Sequence, residues 1–174
     1  MRKVFFYFMA VRRIRKLGDP VLRKISEKVE KIDEEILGII QDMIDTINVK
    51  DSNAVGLAAP QIGVLKRIIV LNLTKNEVFI NPEIEILDRQ EEEAEEGCLS
   101  LYSIGCNVKR PKKIRVKALT PEGEEVLFNA EGMLARIFLH EVDHLQGKLF
   151  IDYLDSGTKR ELMLKISELN LKES

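Results

Sequence analysis

The sequence contains no tryptophan, only two cysteines and only two histidines among 174 residues, and aromatic residues make up 6%. Two cysteines in a chain this long do not form a disulfide scaffold, so we expect a reduced protein in the cytoplasm, although Cys98 and Cys106 could pair. The formal net charge of -2 excludes a broad basic surface, so we expect no direct reading of nucleic acid. The apolar run near the start is too short to span a membrane, and no membrane partner is expected.

The length and composition indicate one globular domain. A chain of 174 residues is long enough for a real core but too short for two comfortable domains. The hydrophobic share of 45% and the charged share of 32% are typical of a soluble globular protein. We expect residues 9–174 to form a single domain. Residues 1–8 are expected to be an N-terminal extension, either added by start-codon choice, because Met9 could be the initiator, or used as a short docking segment.

Hydrophobic periodicity predicts helices near both ends of the chain and strands between them. Apolar residues at three- and four-residue steps predict helices at 33–49, 131–146 and 157–170. Shorter apolar or alternating runs predict strands at 67–73, 77–80, 112–119 and 124–128. The acidic run 91–96 is expected to be a solvated edge, and 101–108 a loop. This order favours an α+β fold with mostly antiparallel sheets. The apolar sides of the last two helices are expected to include Met133, Leu134, Ile137, Phe138, Leu145, Leu162, Leu164, Ile166 and Leu169.

Both histidines lie in one five-residue stretch, 140–144, with the sequence His-Glu-Val-Asp-His. Four residues on a helix correspond to about 400° of rotation, so His140 and His144 point to one side. A neutral imidazole pair at this spacing can bind one transition-metal ion, and Glu141 can handle protons for a bound water. The alternative is a solvated helix face that carries two stray histidines.

A tight metal site needs a third protein ligand, for which Cys98, Cys106 and a carboxylate are the candidates. Cys98 follows Gly97, where the backbone can approach a neighbour closely. A thiolate and two imidazoles leave a fourth position open, which is typical of a catalytic site rather than a structural one. The alternative for either cysteine is a small buried apolar side chain.

A cation in such a site lowers the pKa of bound water toward ~7, and Glu141 can take and return the proton. Hydrolysis of an amide then needs a hydrogen-bond donor for the oxyanion, and Gln61 is a candidate. Without other information, Gln61 would be interpreted as a surface glutamine.

Three segments of the chain form a recognisable set: Ala-Val-Gly-Leu-Ala-Ala-Pro-Gln at 54–61, Glu-Gly-Cys-Leu-Ser at 96–100 and the paired-histidine stretch at 140–144. In their order and approximate separations, these segments resemble the three motifs of the peptide deformylase family. Gly-Asp-Pro-Val-Leu-Arg at 18–23 also resembles the N-terminal segment of the family. The resemblance implies an antiparallel α+β fold around the paired-histidine helix. It also implies a metal-dependent hydrolase that removes the formyl group from the N-terminal formyl-methionine of new polypeptides and releases formate.

The resemblance assigns roles residue by residue. It implies that Cys98, His140 and His144 bind one divalent ion, expected to be Fe(II), with Zn, Ni or Co as substitutes. Glu141 is the implied general acid and base, and Gln61 and the backbone N–H of Leu99 are the implied oxyanion donors. The implied substrate-binding residues are Gly56 as a backbone contact, the pair Glu96 and Arg110 beside the peptide groove, and Val55, Met133 and Ile137 in the methionine pocket. The alternatives are a surface salt bridge for the pair and ordinary core positions for the last three. The partners implied are nascent formyl-methionine polypeptides and the ribosome exit surface.

The chain departs from the family pattern at three positions. Ala54 replaces the first glycine of the first motif, Tyr102 replaces a proline after the cysteine motif, and Leu139 replaces the glutamine before His140. None of them removes an expected ligand, base or donor.

Two rival hypotheses remain: a zinc endopeptidase, which would cleave internal peptide bonds, and a non-catalytic binder of nascent N-termini that keeps a metal for stability.

Overall fold

The computed structural model describes residues 10–49 and 54–173 of the chain, with the side chains of residues up to 169. The predicted extension at residues 1–8 and the alternative initiator Met9 therefore lie outside the described residues. The described helices are α1 (Glu34–Ile47), α2 (Gly132–Leu145) and α3 (Ser156–Glu173). The strands are β1 (Gly56–Ala58), β2 (Ile68–Asn72), β3 (Asn76–Gly97), β4 (Gly105–Leu119) and β5 (Glu125–Glu131). The predicted α+β class is confirmed. Within the described ranges, no helix is both long enough and apolar enough to cross a membrane.

The five strands form one antiparallel sheet in the order β1-β2-β3-β4-β5, so every strand pairs with its neighbour in sequence. Residues 68–71 of β2 are fully buried, because successive side chains point to opposite faces and both faces are covered. Ile68 and Val70 belong to the core under α1, whereas Ile69 and Leu71 belong to the core under α2. The paired-histidine helix is thereby fixed against one face of the sheet.

Helix α1 begins where Asp33 caps it, since the Asp33 carboxylate accepts a hydrogen bond of 3.2 Å from the N–H of Ile36. Its buried residues Ile36, Ile40, Met43 and Ile47 recur at steps of three and four, as the periodicity predicted.

The hairpin of β3 and β4 is much longer than the sequence predicted. The short strand at 77–80 is the start of β3, which continues through the acidic run, so the prediction of a solvated edge there is wrong in part. Glu91, Glu93 and Glu95 are exposed, but Glu96 is buried. Cross-strand pairs such as Glu93 with Lys109 place opposite charges side by side, which favours pairing of these polar strands. The predicted loop at 101–108 is also shorter, because β4 begins at residue 105.

Helix α3 packs against the segment that follows α2. Leu162 and Ile166, four residues apart, are buried in a cluster with Phe150 and Leu101. Leu164 was expected on the same apolar side but is 59% exposed, because two residues on a helix rotate a side chain by about 200°.

Candidate active site

Helix α2 presents two imidazoles and a carboxylate to the interior of the molecule. His140, His144 and Glu141 are all buried, and the two imidazole rings have centroids 5.0 Å apart. The helix is held in this orientation by Ala135, Phe138 and Leu145, which pack against the sheet. The alternative of a solvated helix face is therefore wrong.

Cys98 joins the histidines from the first position after β3. The Cys98 Sγ atom and one ring nitrogen of each histidine lie within 4.8 Å of one another, and Sγ is 3.3 Å from His144 Nε2. Burial raises the pKa of the Cys98 thiol, but His144 and His140 outweigh burial and hold that pKa well below its usual range. Cys106 is a free, half-buried thiol and is not part of this group. The possible pairing of Cys98 with Cys106 is not formed.

Glu141 lies beside this group with its carboxylate shielded from water. Its side chain is 4% exposed, and Oε2 has no hydrogen-bond partner among the described residues. Burial raises the pKa of Glu141 to about 7, against the opposing effect of His140 and His144. A carboxyl group with such a pKa can exchange a proton near neutral pH.

Gln61 is buried rather than on the surface, with 2% exposure. Its Oε1 accepts a hydrogen bond of 2.8 Å from the N–H of Ala58, so its amide N–H₂ faces the other way. Nε2 lies 3.5 Å from Cys98 Sγ and 3.3 Å from Ser100 Oγ. Leu99 is the first residue of a 3₁₀ turn, Leu99–Leu101, and lines the same cavity as Gln61.

Glu96 and Arg110 form a buried ion pair, not a surface salt bridge. Arg110 donates to both carboxylate oxygens of Glu96, at 2.8 and 3.0 Å, and Glu96 Oε2 lies 2.9 Å from His140 Nδ1. Burial would raise the pKa of Glu96, but hydrogen bonds from His140 and Arg110 lower it to about 2. Arg110 does not line the cavity, so it reaches the site only through Glu96. Of the pair expected beside the groove, Glu96 lines the cavity and Arg110 does not.

Two further charged residues of α2 belong to this cluster, and sequence reasoning missed both. Arg136 donates to Glu96 Oε1 at 2.8 Å and to the carbonyl oxygen of Val108 at 2.7 Å. Asp143 accepts from Arg110 at 2.6 Å and from the Tyr153 hydroxyl at 2.9 Å. Their spacing of four and three residues from His140 is the signal that could have placed them on its side of the helix.

A cavity of about 370 Å³ adjoins the cluster of Cys98, His140 and His144, and the other expected contact residues line it. Ile137 is buried in its wall, whereas Val55 and Met133 are 46% and 61% exposed at its rim. The alternative that all three are ordinary core is wrong for Val55 and Met133. Gly56 lies against Glu141, because a Cβ atom on Gly56 would overlap Glu141 Oε1.

The residues present fit a divalent transition metal. One sulfur and two imidazole nitrogens form a donor set that suits such ions and leaves a coordination position open. Because His140 Nδ1 is engaged by Glu96, its Nε2 is the nitrogen available to a metal. The buried carboxylate of Glu141 lies next to this donor set, in a cavity open to substrate.

The fold and the site together define a metal-dependent hydrolase. A sequence model of the polypeptide deformylase family matches residues 11–160. The chain belongs to this family.

Individual relatives support the assignment. A peptide deformylase of Clostridium botulinum (strain Alaska E43 / Type E3) is 50% identical over 145 residues, covering 83% of this chain and 97% of the relative. The crystal structure of a peptide deformylase from Legionella pneumophila matches with a TM-score of 0.87 and 40% identity, over 94% of this chain and 98% of the other. The peptide deformylase of Ehrlichia chaffeensis in complex with actinonin matches with a TM-score of 0.85 and 34% identity, over 92% of this chain and 98% of the other.

The chain is accordingly an enzyme. It is a metal-dependent hydrolase that removes the formyl group from the N-terminal formyl-methionine of newly synthesised polypeptides and releases formate. The predicted family and activity are confirmed, and the endopeptidase and the non-catalytic binder are set aside.

Proposed function

We propose that deformylation takes place at the cavity beside Cys98, His140 and His144, and that these three residues hold one divalent ion. The observation that carries the proposal is the meeting of their ligand atoms within 4.8 Å, next to the buried Glu141. A mixed sulfur and nitrogen site accepts several metals. The family resemblance supports Fe(II) as the native ion, with Zn, Ni or Co as substitutes. A divalent ion bound there supplies Lewis acidity, which lowers the pKa of a coordinated water toward ~7.

Glu141 is the general acid and base in this proposal. Its carboxylate accepts a proton from the attacking water, and the protonated side chain then donates that proton to the departing amine nitrogen. The pKa of about 7 supports both roles, because both the protonated and the ionised form of the carboxyl group are then populated near neutral pH. Gly56 leaves the space in which the Glu141 carboxylate sits and offers its backbone to the substrate.

Gln61 and Leu99 stabilise the negative charge that develops on the formyl oxygen. The hydrogen bond from Ala58 orients the Gln61 amide so that its N–H₂ faces Cys98. The Leu99 N–H is at the first position of a helical turn, where a backbone N–H has no acceptor within the turn. One donor of this kind contributes roughly 10²–10³ in rate.

The methionine side chain of the substrate binds in the part of the cavity formed by Val55, Met133 and Ile137. Exposure of Val55 and Met133 at the rim supports this role, since apolar side chains left open to a cavity are available to cover an apolar ligand. Glu96 contacts this cavity and orients His140, and Arg110 acts on the substrate only by holding Glu96.

Formylated chain ends emerge from ribosomes, so we place the enzyme in the cytoplasm, near the ribosome exit surface. There it meets nascent chains before their N-termini fold.

Formate release from a formyl-methionyl peptide tests the assignment of Glu141. Glu141→Gln keeps the size of the side chain but removes the base, so kcat should fall by roughly 10²–10⁴ while the metal content is unchanged. Glu131→Gln changes an exposed glutamate at the end of β5, immediately before the same helix, and should leave kcat unchanged. Wild-type turnover by Glu141→Gln would show that another group moves the proton.

A further inference from the structure

A short segment near the N-terminus crosses both elements that carry the proposed oxyanion donors. We name residues 15–17 the N-terminal strap. The N–H of Arg15 donates to the carbonyl oxygen of Gln61 at 2.7 Å, and the N–H of Leu17 donates to the carbonyl oxygen of Ser100 at 2.8 Å. The strap therefore fixes the backbone of the Gln61 turn and of the turn at Leu99–Leu101 relative to each other.

Lys16, in the middle of the strap, binds the turn at both ends. Its Nζ donates to the carbonyl oxygen of Leu99 at 3.0 Å and lies 4.6 Å from the centre of the Tyr102 ring. Leu99 is the first residue of the turn, and Tyr102 is the residue that follows it. A half-buried ammonium is attracted to the face of an aromatic ring, and the hydrogen bond to the carbonyl fixes the direction of the contact.

The turn has a reason to need such a restraint. Tyr102 and Ser103 both have φ near +58°, in the left-handed region that side chains other than glycine rarely adopt. Such a backbone conformation is strained and persists only where its surroundings hold it.

The strap is itself held by packing on both sides of the site. Ile14, immediately before the strap, packs against the core under α1, and Leu17 packs against the cluster that includes α3. The N–H of Asp19 donates to the carbonyl oxygen of Lys16 at 3.0 Å, which closes a turn at Gly18. The strap can therefore transmit a fixed position to the turn.

We propose that the N-terminal strap positions the oxyanion donors, with Lys16 as the positioning residue that holds Leu99 and Tyr102 in place. Fixing the carbonyls of Leu99 and Ser100 limits rotation of the preceding peptide and so sets the direction of the Leu99 N–H. Lys16 itself does not line the cavity. The inference rests on the proposed role of Leu99 and Gln61 as donors.

Steady-state kinetics of Lys16→Met, which keeps most of the side-chain length but removes the ammonium, provide the test. A loosened donor costs only part of the roughly 10²–10³ that a lost donor costs, so we expect kcat to fall about tenfold. KM should stay within about twofold of the wild-type value, because the change leaves the contacts that bind the substrate in its ground state unaltered. Lys16→Arg keeps the cation and should recover most of the lost kcat. Lys24→Met, a matched change at an exposed lysine, should have no effect.

A double-mutant cycle separates positioning from simple stability. Tyr102→Leu removes the ring. In the double variant, the loss of kcat should be clearly smaller than the two single losses combined predict, because both residues act on one turn. Metal content and Tm are measured on each variant. A lower Tm with unchanged kcat for Lys16→Met, or fully additive losses, would overturn the proposal.

Gln61→Ala distinguishes this failure from a failure of the proposed donors. If Gln61→Ala loses kcat while Lys16→Met does not, the strap has no positioning role and the Gln61 assignment stands. If Gln61→Ala turns over at the wild-type rate, the assignment of Gln61 as a donor is itself wrong.

Discussion

Single residues in this site act through close contacts that admit little substitution. Glu96 is the clearest case, because one buried carboxylate faces Arg110, Arg136 and His140 at once. A buried charge of this kind is tolerated only when its partners are complete, and removal of one member leaves the others uncompensated.

Glu96→Gln should therefore destabilise the protein and weaken its metal site. We expect a loss of about 3–5 kcal/mol in the free energy of unfolding, because the buried Arg136 loses its counter-charge and the buried Arg110 is left with Asp143. Metal affinity should fall by roughly 10–100-fold, since His140 loses the partner that orients it. Urea unfolding and metal titration measure the two effects. Glu95→Gln, an exposed neighbour, should leave stability unchanged, and equal stability of the two variants would contradict the prediction.

Gly56 contributes by having no side chain. In Gly56→Ala the new Cβ would overlap Glu141 Oε1 and lie 2.8 Å from Glu141 Cδ, so the carboxylate must move. A displacement of about 1 Å in a catalytic group can cost on the order of 100-fold, so kcat should fall by 10- to 100-fold. Formate release measures kcat, and Gly157→Ala, in α3, serves as the control. Unchanged kcat in Gly56→Ala would mean that Glu141 is not constrained by this contact.

Elements are joined to one another by a few polar contacts around the site. Arg23, the last residue of the 3₁₀ turn Pro20–Arg23, pairs with Asp152 in the turn Phe150–Tyr153. Asp152 also accepts a hydrogen bond of 2.9 Å from the N–H of Leu149. These contacts tie the N-terminal region to the segment between α2 and α3.

The Asp152 contacts predict a stability difference that depends on pH. Burial raises the pKa of Asp152, but the hydrogen bonds from Arg23 and Leu149 outweigh it, so the pKa in the folded protein lies below 3.8. The contribution is therefore complete above about pH 4 and is lost as the pH falls through the folded value. Asp152→Asn should be less stable than wild type by about 0.5–1 kcal/mol at pH 7, because the pair is partly exposed.

Urea unfolding of both proteins at pH 7 and in steps below pH 4 measures this difference. The gap between wild type and Asp152→Asn should narrow as the pH falls, while Glu161→Gln in α3 should match wild type throughout. A gap that stays constant down to pH 2 would argue against the charge of Asp152 as its source.

At the scale of the whole molecule, the proposed metal ligands come from both the sheet and the helix α2. Cys98 lies at the end of the β3 strand, whereas His140 and His144 lie on α2. An ion bound between them would cross-link two elements, and an ion that binds only the folded state stabilises it.

Removal of metal by chelation should therefore lower the Tm. A free metal concentration of 100 times the dissociation constant stabilises the folded state by about 2.7 kcal/mol, and this stabilisation is absent from the metal-free protein. Differential scanning calorimetry with and without chelator measures the shift. Cys98→Ser should reduce the shift, whereas Cys106→Ser, the matched change at the other cysteine, should preserve it. Equal shifts in both variants would remove Cys98 from the metal site.

The sequence by itself was enough for the elements and residues that depend on local physics. Periodicity predicted helix α1 and, in α2, the shared side of His140 and His144. Within a single helix, hydrogen bonds and side-chain neighbours are three or four residues apart, so a local pattern is sufficient. The order of the three motifs was likewise sufficient to predict the family, and with it the reaction.

Only the tertiary structure decided where the acidic run and the buried charges lie. By composition Glu96 is one of five glutamates in the run 91–96, and the resemblance placed it only beside a groove. The pairing of β3 with β4 and the packing of α2 bury it against Arg110 and Arg136. The same packing placed Lys16 against Leu99 and Tyr102 across 83 residues or more of sequence. Such contacts depend on strand register and on the docking of a helix against a sheet, and no local pattern encodes either.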